Sequence, residues 1–411
     1  MKIGLEVHVA LPTKSKLFCG CSTNADEPNS SICPICMGFP GSKPMLNKAA
    51  LSIALDVANA LNCKKAERIS FVRKIYFYPD LPKSYQITQL QDAIGVDGNV
   101  GLAGKRISIR RIQLEEDPAR IVREDNYTLI DFNRSGLPLL EIVTEPDISS
   151  EEELREFLNE LRSILYYLGI DIEKELKVDL NISVADARVE IKNVTGIRNL
   201  VDAARYEIKR QEELVSKKQK ISAETRSYSE KNLKTESSRE KESDEEYGFI
   251  YEPDLTFYST KGKKPTKPIY ASKIVGEIAS KHGVSAKTLL ELTQFDSQAL
   301  ELVEYAKDKW PMQSVIDAIE RLKKSKIALT KAKFEEMIKK RGEGATKSAD
   351  PTLIDKEIKE LMDANPKVVD EHKKNPKALN FIIGEVSKKL GVNPREVAER
   401  LQLILKKGFK N

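Results

Sequence analysis

Ile3-Gly4-Leu5-Glu6-Val7-His8-Val9-Ala10-Leu11 alternates apolar with polar or small residues without a break. That period of two is the pattern of a half-buried strand, so the chain opens in a sheet with Ile3, Leu5, Val7, Val9 and Leu11 toward the core. Glu6 and His8 then point the same way from the other face. A carboxylate and an imidazole side by side on a strand make that face a candidate metal or catalytic surface.

Immediately downstream stand Cys19-x-Cys21, eleven residues, and Cys33-Pro34-Ile35-Cys36. Two close cysteine pairs can bring four thiolates to one tetrahedral zinc. The opening residues carry no signal-peptide pattern, so a cytoplasmic, reducing setting is expected, where paired disulfides are rare. Zinc held by Cys19, Cys21, Cys33 and Cys36 is therefore expected over unligated buried thiols. With four sulfurs the site is closed, hence structural. Cys63 stands alone in the apolar helical stretch that begins at Leu51 and reads as packing.

The chain has 411 residues, enough for two or three domains. Hydrophobic residues at 40% and charged residues at 32% describe a soluble protein, and no segment approaches the roughly 20 apolar residues a membrane span needs. The net charge of +5 is uneven: from Pro311 to Asn411 there are 23 basic and 15 acidic residues, so that region carries +8 and the remainder −3. A basic C-terminal region suggests a polyanionic partner, although solvated helix faces also collect lysines.

Ser149 and Ser150 precede Glu152 and Glu153 at capping-box spacing, and Leu154, Phe157, Leu158, Leu161, Ile164, Leu165 and Leu168 trace one helical face that ends at Gly169. Residues 177–184 and 188–193 alternate as two further strands. A four-residue loop between them pairs Asn181 with Glu190 and Asp179 with Lys192, which puts their polar side chains on one face. Residues 216–246 are highly charged and predict an excursion or long polar hairpin outside the core. Lys261–Lys267 reads as a linker, and the pattern beyond it is purely helical. No internal repeat is evident.

Taken in order, Gly4-Leu5-Glu6-Val7-His8, the cysteine pairs, Tyr76-Phe77-Tyr78-Pro79-Asp80-Leu81-Pro82-Lys83, Leu114-Glu115-Glu116-Asp117, Leu139-Leu140-Glu141-Ile142-Val143 and Glu145-Pro146-Asp147 resemble the GatB/GatE family. Val189-Glu190-Ile191-Lys192-Asn193, Glu224-Thr225-Arg226, Glu252-Pro253-Asp254-Leu255 and the run from Asn375 to Val386 extend the resemblance almost to the end. It implies an α+β fold: a cradle domain of the glutamine synthetase and guanido kinase type with a zinc knuckle (1–255), a linker (256–272), a small helical domain (273–310) and a YqeY-like tRNA-binding tail (311–411).

It also implies a function. Such proteins use ATP to phosphorylate the side-chain carboxyl of Asp or Glu mischarged on tRNA(Asn) or tRNA(Gln). Ammonia from the GatA glutaminase then displaces the phosphate, with GatC as third subunit. The resemblance assigns magnesium to Glu6, His8, Glu116 and Glu190, with Asp179 and Asn181 nearby, Glu115 behind them and Lys74 as a phosphate partner.

Some positions depart from the family's usual pattern. Val72-Arg73-Lys74-Ile75 stands for Asp-Arg-Lys-Asn, Gln113 for a histidine and Gly248 for an arginine, and the helical regions are shorter than usual. A tRNA-binding scaffold that has lost catalysis, or a zinc nucleic-acid-binding module, are the competing readings. The scaffold has no reason to hold the acids, and the zinc module leaves the acidic face unexplained.

Overall fold

The computed structural model describes residues 1–102, 104–170, 176–185, 187–240, 248–262, 264–344, 351–365, 379–390 and 394–408. The opening alternation forms β1 (Lys2–Ala10), with Ile3, Leu5, Val7 and Val9 fully buried. Next come β2 (Lys64–Lys65), β3 (Arg68–Ile69), β4 (Val72–Ile75), β5 (Tyr85–Thr88), β6 (Gly95–Leu102), β7 (Lys105–Glu116), β8 (Arg120–Arg123), β9 (Thr128–Asp131) and β10 (Pro138–Thr144). They are followed by β11 (Lys177–Ser183), β12 (Val189–Thr195), β13 (Glu224–Ser229), β14 (Lys234–Glu240), β15 (Gly248–Tyr251) and β16 (Tyr258–Ser259).

Nine of these strands form one sheet in the order β14-β13-β12-β11-β1-β10-β7-β6-β2, with β1 at its centre. Every pairing is antiparallel except β12 with β13. Parallel neighbours need a crossover, and helix α3 (Ile197–Ser216) provides it. With α1 (Lys48–Ala60) and α2 (Glu151–Tyr167), α3 packs on the apolar face of the sheet and closes a single core around Leu5, Val7, Ile142, Leu180 and Phe157. Helices on one face of a mostly antiparallel sheet are an α+β arrangement, and the opposite face is left to polar side chains.

Helix α2 follows its sequence signals. The Glu153 amide donates to Ser150 Oγ, the Ser149 amide donates to Glu153 Oε2, and Gly169 at φ +81° follows the last turn. Cys63 sits just past α1, buried against Gly95 and Gly98, where a Cβ at Gly98 would collide with its sulfur. It is a packing residue.

The charged stretch 216–246 differs from expectation. Its described part is a hairpin, β13–β14, but that hairpin joins the main sheet as its edge and buries Thr225, Arg226 and Thr235. Charge can be buried there because it is fully paired: Glu207 of α3 accepts from Arg210, Gln211 and Thr235, and Arg226 bonds Glu224 and the Thr235 carbonyl. Residues 241–247 lie outside the described set.

The chain divides into two compact units, Met1–Ile274 and Val275–Asn411. Among its described residues the second has helices as its only regular elements. It contains α5 (Ala286–Thr293), capped by Ser285, and α6 (Ser297–Ala306), capped by Asp296, then α7 (Met312–Lys324), α8 (Lys331–Gly344) and α9 (Pro351–Ala364). The preceding helix α4 (Ala271–His282) spans the boundary of the units. Helices Asn380–Leu390 and Pro394–Gly408 share a core with α9 around Ile354, Ile358, Ile382, Val386 and Leu401. Among the described residues no helix is long and apolar enough to cross a membrane.

Candidate functional site

The polar face of the main sheet is built by register. β1 sets Glu6 opposite Asp179 of β11 and His8 opposite Glu141 of β10, and β10 sets Glu141 opposite Gln113 of β7. β11 sets Asn181 opposite Glu190 of β12, as the four-residue loop requires. The expected pairing of Asp179 with Lys192 is displaced by a bulge between Val178 and Leu180, where β12 carries one extra residue and Asn193 adopts φ +55°. The bulge turns the Asn193 amide onto Asp179 Oδ1 at 2.7 Å, while Lys192 Nζ still reaches Asp179 at 3.8 Å and Glu190 at 3.7 Å.

Two donor groups result. Glu6, Asp179 and Glu190 form one, and His8, Glu115 and Glu141 the other; within each, one donor atom per residue lies within 4.8 Å of the rest. Asn181 Nδ2 donates to Glu6 Oε1 at 3.0 Å and Thr225 Oγ1 to Glu190 Oε2 at 3.2 Å, so hydrogen bonds from neighbouring strands orient both carboxylates. Burial, reinforced by Glu115, pushes Glu141 up to about 7. Burial pulls His8 down, but Glu115, Glu141, Asp179 and Glu6 outweigh it and hold the imidazole above its usual value. A crowd of acids that cannot all ionise comfortably is relieved by a divalent cation, and oxygen donors with one imidazole suit a hard or borderline one.

Glu116 is not in either group. Side chains alternate along β7, so Glu115 shares the polar face with Gln113 while Glu116 turns to the other side. There Lys83 Nζ holds both its oxygens, at 2.5 and 2.6 Å, and the Ile87 amide donates to it at 2.8 Å. Of the two glutamates, Glu115 rather than Glu116 is the residue facing His8, at 3.6 Å. Lys74 also lies elsewhere, on β4 of the three-stranded sheet β15-β4-β5, with its Nζ 5.8 Å from the centre of the Tyr76 ring.

Three participants were not picked out from sequence as site residues. Glu141 is the lone acid in the apolar run of β10, a signal that was available, since an unpaired acid rarely occupies a fully buried strand. Thr88, which donates to Glu115, and Lys83 come from the segment around β5 that lies over the end of β7, and no local pattern foretells that crossing.

The four cysteines do converge. Their sulfurs lie within 4.8 Å of one another, and Cys33 and Cys36 Sγ are 3.9 Å apart. Four sulfurs each about 2.3 Å from a zinc ion stand about 3.8 Å apart, so the cluster fits that metal. Cys36 is pulled far below the thiol range, chiefly by its hydrogen bond with Cys19 and in part by the Lys16 ammonium. Lys16 is fully buried, 3.7 Å from Cys36 Sγ and donating to the Phe132 carbonyl at 3.1 Å. In the helical unit, Lys323 bonds Asp296 and the Leu292 carbonyl, Lys324 pairs with Glu320 and Lys389 with Glu357. Lys326 is exposed, and the side chains of Lys388 and Arg395 lie outside the described set.

The family model for the GatB/GatE catalytic domain matches residues 1–264. The B subunit of the aspartyl/glutamyl-tRNA(Asn/Gln) amidotransferase of Methanoregula boonei is 48% identical over 269 residues, a match covering 62% of this chain and 56% of that protein. The protein of the same name in Saccharolobus solfataricus is 37% identical over 460 aligned positions, covering 95% of this chain and 96% of the relative. That of Thermodesulfovibrio yellowstonii is 37% identical, with 98% of each chain covered. The chain therefore belongs to the GatB/GatE family.

Proposed function

We propose that this chain is the carboxylate-activating subunit of a tRNA-dependent amidotransferase, acting on Asp-tRNA(Asn), Glu-tRNA(Gln) or both. The observation that carries the reading is the pair of donor groups, Glu6/Asp179/Glu190 and His8/Glu115/Glu141, side by side on one sheet face in a chain of this family. A side-chain carboxylate is a poor electrophile until an oxyanion is replaced by a leaving group. In the proposed reaction its oxygen attacks the γ-phosphorus of ATP, the bond to ADP breaks, and an acyl phosphate results. Ammonia then attacks the acyl carbon, inorganic phosphate leaves, and the nitrogen gives up a proton.

Magnesium held by the two groups would neutralise charge on the transferring phosphoryl group. The chain's own residues have separate tasks. Asn181 and Thr225 hold Glu6 and Glu190 in place, and Lys192 bridges Asp179 and Glu190. His8 stands 3.6 Å from Glu115 and would offer the metal a ring nitrogen once its proton is displaced. The cysteine cluster would hold a structural zinc knuckle on a cradle-like catalytic domain, and the basic YqeY-like tail would grip tRNA. A GatA-type glutaminase and a GatC-type subunit are the expected partners, in the cytoplasm.

Reconstitution with those partners tests the reading. Each mischarged tRNA is supplied with ATP and glutamine, and amidated aminoacyl-tRNA and ADP are measured together. Equal amounts of both products support it. Amidation without ADP, or none with either tRNA, rejects it.

A further inference from the structure

Lys16 is among the largest fully buried side chains of the protein, and a buried ammonium needs an anion beside it. The carboxylates in its neighbourhood are spoken for. The Lys16 stem and a Glu116 oxygen both lie near Gly136, but Glu116 is held by Lys83, and Asp117 next to it by Arg134. Lys16 Nζ instead meets the Phe132 carbonyl at 3.1 Å and the Cys36 sulfur at 3.7 Å. The carbonyl is neutral, so the balancing charge falls to the cysteine cluster, of which Cys36 is the buried member. Four protonated thiols would leave the ammonium unbalanced. Four thiolates around one divalent cation carry two negative charges in excess, and Lys16 offsets one of them. The main chain completes the arrangement: the Lys16 amide donates to the Cys21 carbonyl at 2.9 Å, and the Cys33 amide donates to Cys36 Sγ at 3.2 Å. One residue thus spans both cysteine pairs, its backbone on the first and its side chain on the second.

We propose that Lys16 is the positioning residue of the metal cluster, holding Cys36 on the metal through a hydrogen bond to its thiolate and offsetting the cluster's charge. The assignment rests on the reading of the four cysteines as a zinc site and names the residue that balances that site inside the protein. A hydrogen bond from a cation draws electron density from a metal-bound sulfur. It lowers the energy of the sulfur lone pairs and leaves the thiolate less ready to quit the metal.

The full chain, assembled with its partner subunits, is stripped of metal and reloaded with zinc, or with cobalt(II) as an optical probe. The sulfur-to-cobalt charge-transfer band reports sulfur ligation alone, so metal on the acidic face does not contribute to it. Lys16→Met keeps most of the side chain's length and removes its charge and donors. It should move the band to longer wavelength and weaken zinc about tenfold or more in competition with a chelator. Lys16→Arg, which keeps a charge and donors, should recover part of both effects. A band and a zinc affinity equal to wild type in Lys16→Met overturn the assignment and leave Lys16 a packing residue. Loss of metal uptake in Lys16→Met but not in Lys16→Arg supports it, and loss in both overturns it, because charge and donors are then not what the site requires. A wild-type chain that takes up neither metal removes the zinc reading and this assignment together.

Discussion

Glu115 and Glu116 are neighbours with opposite fates. One faces His8 on the open side of the sheet; the other is locked by Lys83 inside the protein. Replacing Glu115 with Gln removes a donor and should lower the amidation rate of the reconstituted complex by about 10²-fold or more at nearly unchanged stability. Glu116→Gln leaves a buried ammonium unpaired and should cost about 3–5 kcal/mol in urea unfolding. A Glu116→Gln protein of full stability but no activity would return Glu116 to the chemistry. The position of Glu141 near 7 has its own consequence. A metal must displace the proton that Glu141 keeps below that pH, so affinity for magnesium should fall as pH drops through 7. Calorimetry at pH 6.5 in two buffers of different ionisation heat reads the released proton directly. Identical heats in both buffers would contradict the assignment of Glu141 to the metal.

Whole elements act as props for these residues. The segment that carries the cysteines has little regular structure, yet it is stitched to residues 130–136, with Asn29 bonded to Asp131 and Ile130, and Ser31 to Asn133. Residues 130–136 in turn reach the end of β7, where Asp117 pairs with Arg134 and the Gly136 amide donates to the Asp117 carbonyl. Zinc should therefore stabilise the protein rather than take part in the reaction. Metal analysis should find one zinc per chain, and Cys33→Ser should lower the melting temperature by several degrees before it alters a chemical step. Four freely titrating thiols in metal-replete protein would refute this. Strand β13 is a prop of another kind, since pairing with β12 brings Thr225 to Glu190.

On the scale of the molecule, charge and chemistry are divided along the chain. The acidic donors all lie in Met1–Ile274, and the basic excess lies beyond Pro311. If the helical unit grips a polyanion, affinity for tRNA should fall steeply with salt. Changing Lys324, Lys326 and Lys333 together to Gln should flatten the slope of log affinity against log salt by about one unit for each phosphate no longer neutralised, with little change in the kcat of amidation. An unchanged slope would mean that these lysines only keep the helices soluble. Lys323 is a poorer candidate than its charge suggests, because it is half-buried and held by both Asp296 and the Leu292 carbonyl.

Period-two alternation in Lys2–Ala10 and helical periodicity in Glu151–Tyr167 were enough by themselves to set those elements, their buried faces and the sharing of one face by Glu6 and His8. Local geometry decides such matters, because side-chain direction follows from backbone period alone. The loop length between β11 and β12 likewise decided that Asn181 meets Glu190. Cysteine spacing was enough to bring four sulfurs together. What stayed illegible depends on contacts between distant segments. Which of two adjacent glutamates faces His8 follows from how β7 registers against β10. The burial of Arg226 follows from Glu207 on a helix that precedes it, and the charge-rich hairpin looked solvent-facing because its partners are not neighbours in sequence. Placing Lys83 on Glu116 required β5 to cross the end of β7. Only the folded sheet, by fixing strand order and register, could decide these pairings.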